Sequence, residues 1–314
     1  MKQHLSLRHF EMLASIAQCE SLAKAARTLL ITPSALTQRI REAERRLNVL
    51  LYEKQGRILR PTLAGRILTQ TAERILEDIR QSERVAISSA DGIRHVVRLS
   101  IAVYAAFHWL PDFLPWFRKI NPGIEIEIET QGAQSPFDAL FKGQIDLVIS
   151  PDTVLPGHLD AVDLFNDELV AVVPPGHALA SRAYVSGNDF LNDPFLTYSL
   201  VRQPGYEADR IWTPENVLPP HEENIGSVEA ICELVKAGFG ISILSHWAIF
   251  PQFKSAKLIP IRATRGGLGI TWRAITKSGA SSGAPENILA QSLAVWFHQH
   301  PPAGIMPQAT RPSL

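Results

Sequence analysis

Residues 21–51, SLAKAARTLLITPSALTQRIREAERRLNVLL, leave the chain little choice of local fold. Ser21 is placed to cap a helix whose apolar positions are Leu22, Ala25, Ala26 and Leu29. The alanine pair lets a second helix approach closely. Thr32 reads as a second N-cap, with Pro33 at the first helical position, where a missing N–H costs nothing. Leu36, Ile40, Ala43 and Leu47 then recur at spacings of four, three and four, which builds one buried stripe. Ser34, Gln38, Arg41 and Arg45 fall on the opposite face. Hydroxyl, amide and guanidinium groups in that arrangement suit a helix lying in a major groove of DNA. A polar face alone would read as the solvated side of an amphipathic helix. Here a short turn, an alanine pair and a Thr-Pro start precede it in the order a helix-turn-helix requires.

Charge distribution supports this reading. The 314 residues carry no formal net charge, yet residues 1–60 hold eleven Lys or Arg against five acids, a net +6, so the remainder is −6. A basic head on an acidic body attracts phosphate at one end and discourages non-specific sticking elsewhere. A hydrophobic content of 46% supports two or more packed domains. Cys19 and Cys232 have no metal-site spacing and form no disulfide framework, as expected for a reducing cytoplasm. The start MKQHLSLRHF lacks the apolar run of a signal peptide, and no stretch approaches eighteen uninterrupted apolar residues, so no membrane span is expected. His298 and His300 sit beside a Pro-rich tail and are not read as a metal pair. There is no Gly-x-Ser-x-Gly elbow, P-loop or dinucleotide fingerprint, and Gly238-Phe239-Gly240 and Gly266-Gly267-x-Gly269 read as turns. No enzyme, catalytic residue, metal or resident cofactor is therefore expected. A solute-binding component is opposed by the basic head and the absent leader.

The flanking segments extend the pattern. A helix over 7–18 presents Phe10, Leu13, Ala14 and Ala17 on one face. Residues 52–62 place Lys54, Gly56, Arg57 and Arg60 in a short basic hairpin, read as a wing that reaches phosphates or the minor groove. From about Thr62 to Ser89 a long helix carries Leu63, Ile67, Leu68, Ala72, Ile75 and Ile79, a stripe suited to burial against a second copy of itself. Ser88 to Gly92 reads as a hinge. Beyond Val96, strands alternate with helices in a parallel-rich α/β pattern, with strands at 97–103, 124–129, 146–150, 168–173, 241–244 and 270–277. Helices are expected at 108–119, 137–141, 228–237 and 285–300. The glutamates at 125, 127 and 129 alternate with isoleucines, which makes them a solvated strand face.

With these residues in hand, the chain resembles the LysR-type transcriptional regulators over essentially its full length. The resemblance rests on the run from Phe10 to Gly65: AAxxLxIT, the SALTQRI helix, the RRL turn and a wing closing in Arg60-Pro61-Thr62-x-x-Gly65. It implies an α/β multidomain chain: a winged helix-turn-helix (1–61), a dimerising linker helix (62–90), a two-lobed periplasmic-binding-protein-like α/β effector domain (91–300) and a flexible tail (301–314). Lobe 1 would span about 94–163 and 269–300, and lobe 2 about 164–268, joined by crossovers near 164–170 and 269–272. It implies promoter DNA as a partner, self-association to a dimer or tetramer, and contact with RNA polymerase. DNA contacts are expected from Pro33, Ser34, Thr37 and Gln38 at the bases, Arg41 and Arg45 at phosphates, and Lys54, Arg57 and Arg60 in the wing. The order Thr-Pro-Ser departs from the more usual Ser-Gln-Pro and leaves the base preference open. The effector half also resembles the homocysteine-responsive activators of methionine biosynthesis, through His108-Trp109-Leu110, Gly143-Gln144-Ile145-Asp146-Leu147-Val148 and Ser245-His246-Trp247. That branch implies homocysteine or a related small molecule as co-inducer. The alternative is a regulator of another pathway with another effector. Candidate effector contacts are Tyr104, Ala105, Phe107, His108, Ser150, Asp152, Tyr198, Ser227 and His246. An effector carboxylate would meet helix N-terminal N–H groups at 105–108 or Ser227, and its ammonium would need an acid or carbonyls, Asp152 being one candidate partner.

Overall fold

The computed structural model describes residues 4–302 apart from 20, 56–57, 89–91, 93, 103, 105, 131–134, 153, 201, 203 and 254–256. Arg57 and Ala105 among the expected contacts, and most of the tail, therefore lie outside the described residues. The chain divides into two compact units, one of Met1–Arg94 with Phe141–Gln144 and one of His95–Leu140 with Ile145–Leu314.

In the first unit α1 (Leu7–Gln18), α2 (Leu22–Thr28) and α3 (Pro33–Leu47) are followed by the hairpin β1 (Tyr52–Gln55) and β2 (Ile58–Pro61), then by α4 (Leu63–Ser88). The caps form where the sequence places them: Ser21 Oγ accepts the Lys24 N–H at 3.3 Å and Thr32 Oγ1 accepts that of Ala35 at 3.2 Å. Met12, Leu13, Ala25, Ala26, Leu36 and Ala43 are fully or almost fully buried in one core. Leu68, Ala72 and Leu76 of α4 join that core, so part of the stripe expected to face a second copy is used within the unit itself. Leu63 and Ile67 remain 66% and 54% exposed.

Between α2 and α3, Leu30 is held at φ +55° and is 93% exposed. A leucine gains no contact there, yet it occupies a left-handed conformation that costs an L-residue roughly 1–2 kcal/mol. Leu30→Asn is expected to stabilise this unit by about 1 kcal/mol, because asparagine tolerates that region. Chemical denaturation would check it; an unchanged or lowered midpoint would refute it.

His9 lies in the same core, 4% exposed, with Nδ1 accepting the Ser6 N–H at 3.0 Å. Its Nε2 stands 3.9 Å from a Glu42 carboxylate oxygen. Burial lowers its pKa, outweighing the pull of Glu42. The folded state thus prefers neutral imidazole, and the unfolded chain binds the extra proton below about pH 6.5. This contribution to stability is fully present above that pH and is lost as the pH falls towards the lowered folded value. Denaturation of the full chain at pH 7.5 and 5.5 should show a loss on acidification that shrinks in His9→Gln, whose amide oxygen can accept the same Ser6 N–H.

The second unit comprises β3 (His95–Ile101), α5 (Leu110–Ile120), β4 (Ile124–Ile128), α6 (Pro136–Phe141), β5 (Leu147–Ser150) and β6 (Leu159–Val173). It continues with β7 (Tyr184–Val185), β8 (Phe195–Thr197), α7 (Thr213–Glu215), β9 (Glu222–Asn224), α8 (Val228–Lys236) and β10 (Ser242–Ser245). The last elements are α9 (Phe250–Phe253), β11 (Ile259–Ala263), β12 (Leu268–Lys277) and α10 (Pro285–Gln299). The main sheet runs β4-β3-β5-β12-β6-β11-β7, with β10 beside β6, and β8 and β9 form a separate pair. It is mixed, not parallel-rich. β3 runs parallel to β4 and β5, whereas β12 is antiparallel to β5 and β6, and β6 is antiparallel to β10 and β11. The expected strand at 168–173 is the end of the fifteen-residue β6. β6 pairs with all of β12, with a register shift between Trp272 and Arg273. Both expected crossovers lie in this ribbon.

One of the acids read from sequence has a structural role. Asp146 of the Gly-x-x-Asp-Leu segment receives Arg98 through Nε at 2.9 Å, Nη2 at 2.7 Å and the backbone N–H at 2.8 Å. Glu127 is half-buried, so the glutamate face of β4 is less solvated than strict alternation implies.

Candidate nucleic-acid interface and effector cavity

On α3 the apolar stripe faces inward, with Leu36, Ile40 and Ala43 at most 6% exposed. Pro33, Ser34, Gln38, Arg41 and Arg45 are consequently exposed together on the outer side. Thr37 is half-buried and its hydroxyl donates to the Pro33 carbonyl at 3.0 Å, while Ser34 Oγ lies 3.0 Å from Thr32 Oγ1. Arg60 is exposed on β2 opposite Glu53, and Lys54 pairs with Leu59 across the hairpin.

Of the residues that fix this hairpin to the helices, sequence reasoning missed Glu44 and saw Thr62 and Gly65 only as a motif. Glu44 Oε1 accepts the N–H groups of Leu51 and Tyr52 at 2.9 and 3.2 Å. Thr62 donates its hydroxyl to the Leu50 carbonyl at 2.8 Å and its N–H to that of Leu51 at 2.9 Å. Gly65 passes so close that a Cβ built on it would lie 2.1 Å from the Leu51 oxygen. The Arg-Pro-Thr-x-x-Gly spacing was the available signal.

In the second unit a cavity of about 240 Å³ lies between the segment after β3 and helices α8 and α9. Tyr104, Ala106, Phe107 and His108 form one wall. Val228, Glu229 and Cys232 of α8 form another, completed by Ala248, Ile249, Pro251 and Gln252. Three expected contacts, Tyr104, Phe107 and His108, thus meet here. Ser227 is not among the lining residues; it caps α8, its Oγ accepting the Ala230 N–H at 3.3 Å.

Ser150, Asp152 and Tyr198 belong to a polar cluster reached through Tyr104. Ser150 Oγ donates to Asp152 Oδ2 at 2.6 Å, and Tyr206 also hydrogen-bonds Asp152. Tyr198 and Tyr104 meet edge to face at 5.6 Å, and Tyr104 Oη accepts the Ser245 N–H at 3.2 Å. Burial raises the Asp152 pKa against the opposing effect of its Ser150 and Tyr206 bonds. Burial likewise raises all three tyrosine hydroxyls, which stay protonated as donors. Asp152 is therefore engaged by the protein's own hydroxyls, whereas Glu229, missed from sequence, is the carboxylate that lines the cavity. His246 does not line it; its ring stacks on Phe253 at 5.0 Å, and burial lowers its pKa.

Beneath this region Asp167, 4% exposed, gathers three donors: Ser245 Oγ at 2.6 Å, Trp272 Nε1 at 3.0 Å and the Trp247 N–H at 3.1 Å. It ties β6, β10 and β12 together.

Two family descriptions match this architecture. Residues 7–66 match the bacterial regulatory helix-turn-helix protein, lysR family, and residues 90–296 match the LysR substrate binding domain. The chain belongs to the LysR family. It is a LysR-type transcriptional regulator with a DNA-binding helix-turn-helix, and the family is one of regulators, not enzymes. Among its relatives is the HTH-type transcriptional regulator MetR of Escherichia coli K12, 27% identical over 275 residues, covering 88% of this chain and 85% of that one. A probable RuBisCO transcriptional regulator of Trieres chinensis is 26% identical over 253 residues, covering 78% and 82%. Among solved structures, CbnR, a LysR family transcriptional regulator, superposes with a TM-score of 0.65 at 16% identity, covering 92% of this chain and 98% of that one. The regulatory domain of MetR from N. meningitidis gives 0.53 at 22% identity, covering 65% and 94%. In this chain the helix-turn-helix match is followed by an α/β unit that matches the LysR substrate binding domain. Among the described residues no helix is long and apolar enough to cross a membrane.

Proposed function

We propose that this LysR-family chain activates genes of methionine and sulfur amino-acid metabolism, with homocysteine or a related small molecule as co-inducer. The observation that carries this reading is the similarity to regulators named MetR over 88% of the chain. A cavity of about 240 Å³ at the expected segment 104–108 supports a small effector. A different pathway is the second reading, favoured by a RuBisCO-regulator relative of nearly equal identity.

In this proposal Ser34, Thr37 and Gln38 read bases beside Pro33, Arg41 and Arg45 hold phosphates, and Lys54, Arg57 and Arg60 serve the wing. Thr37 Oγ1 can accept from a base amino group while its hydroxyl still donates to the Pro33 carbonyl. Leu63 and Ile67 contribute to self-association through α4, building a dimer or tetramer in the cytoplasm that presents its heads to promoter DNA and to RNA polymerase. The effector acts only by binding one lobe arrangement more tightly than another.

Gel shifts with fragments upstream of methionine-biosynthesis genes test the reading. Salt-sensitive binding whose affinity or footprint changes with homocysteine is expected; binding indifferent to homocysteine, with preference for other promoters, would favour the second reading. Gln38→Ala should lower specific binding by roughly 1–3 kcal/mol while sparing random DNA. Equal losses on both would remove its base-reading role.

A further inference from the structure

The polarity of the cavity narrows what it can hold. Its floor is apolar and closed: Val228, Cys232, Ala248 and Ile249 are each at most 9% exposed. Glu229 stands at the exposed mouth, in the first turn of α8, with Oε2 accepting the Ser227 hydroxyl at 3.4 Å. None of the described lining residues is a lysine or arginine. A carboxylate in the first turn also offsets the positive end of the helix dipole, which would otherwise favour an anion. A volume of about 240 Å³ is below the usual range for drug-sized ligands and suits a molecule of amino-acid size.

We propose that the cavity selects a small amine-bearing ligand that enters tail first, its ammonium held at the mouth by Glu229 and its apolar or sulfur-bearing tail against Val228, Cys232 and Ile249. The inference rests on the reading of this cavity as the effector site. Burial pushes the Cys232 thiol up to about 11, so at neutral pH it is an uncharged, polarisable surface that suits a thiol or thioether tail. The site differs from the one expected from sequence, where Asp152 was one candidate partner for the ammonium. That carboxylate already receives the hydroxyls of Ser150 and Tyr206.

Calorimetric titration of the full chain and of Glu229→Gln with L-homocysteine, N-acetyl-L-homocysteine and n-pentylamine tests this. Both free amines should bind, the N-acetyl compound at least tenfold more weakly than homocysteine. Glu229→Gln should weaken both amines about two- to fivefold, the loss of one solvent-exposed charge pair. N-acetylhomocysteine binding as tightly as homocysteine, or amine binding unchanged in Glu229→Gln, overturns the amine site and leaves homocysteine as effector. If homocysteine fails while n-pentylamine binds through Glu229, the amine site stands and the effector assignment falls. Binding of neither amine overturns both.

Discussion

Asp167→Ala is expected to destabilise the effector unit by about 3–5 kcal/mol, the range for breaking a buried hydrogen-bond network. The carboxylate is enclosed and accepts from Ser245 Oγ, Trp272 Nε1 and the Trp247 N–H. Alanine leaves those three donors buried without acceptors, and a buried donor without a partner costs about 1–3 kcal/mol. For a domain of this size each kcal/mol moves the melting temperature by about 2–4 °C, so a fall of roughly 6–20 °C should be seen. Asp167→Asn should lose less, because one carbonyl oxygen remains, although its amide group is a donor facing donors. Trp247 and Trp272 supply a local fluorescence readout. A loss below about 1 kcal/mol for Asp167→Ala would show that water or repacking replaces the carboxylate.

Gly65→Ala carries the second large effect, with a sign opposite to the usual one. In an exposed helix, glycine to alanine stabilises by about 1 kcal/mol. At Gly65 the new methyl would stand 2.1 Å from the Leu51 carbonyl oxygen, which is backbone and cannot rotate away. That carbonyl is itself fixed, since it accepts from the N–H and hydroxyl of Thr62 and the Leu51 N–H is held by Glu44. Accommodation must shift α4 away from the start of the wing. We expect a loss of about 3 kcal/mol or more, typical of severe overpacking, with DNA affinity falling alongside. Gel shift and denaturation together check it; a variant as stable as the wild type would mean that the α4–wing junction yields freely.

The contrast between the two units explains what the sequence made legible. The helix-turn-helix is written in short-range signals: Ser21 and Thr32 cap over three residues, Pro33 starts a helix, and Leu36, Ile40 and Ala43 mark its inner side. Thr62 and Gly65 were visible as a motif, but their contact with Leu50 and Leu51 spans more than ten residues and had no local trace. In the effector unit the informative contacts are longer still. Tyr104 meets Ser245, 141 residues away, and Asp167 meets Trp272, 105 away. Glu229 and Cys232 lie on a helix that reads as an ordinary amphipathic element, and only the fold reveals that part of its surface lines a cavity. Residues 159–163 of β6, ahead of the crossover expected at 164–170, were missed because they are half-buried or exposed and show no strict alternation.

The β6–β12 ribbon also orders events as the chain leaves the ribosome. Everything needed for the first helix-turn-helix core is present once α4 has emerged, so that head can form from neighbours in sequence. The sensor sheet must wait. Between β5 and β6 lies the place of β12, which ends at Lys277, and α10 follows it at Pro285–Gln299. Until β12 has been made, β5 and β6 each keep an open edge ready to pair with a foreign strand. The reader of DNA is therefore complete early in synthesis, and the part that instructs it closes last.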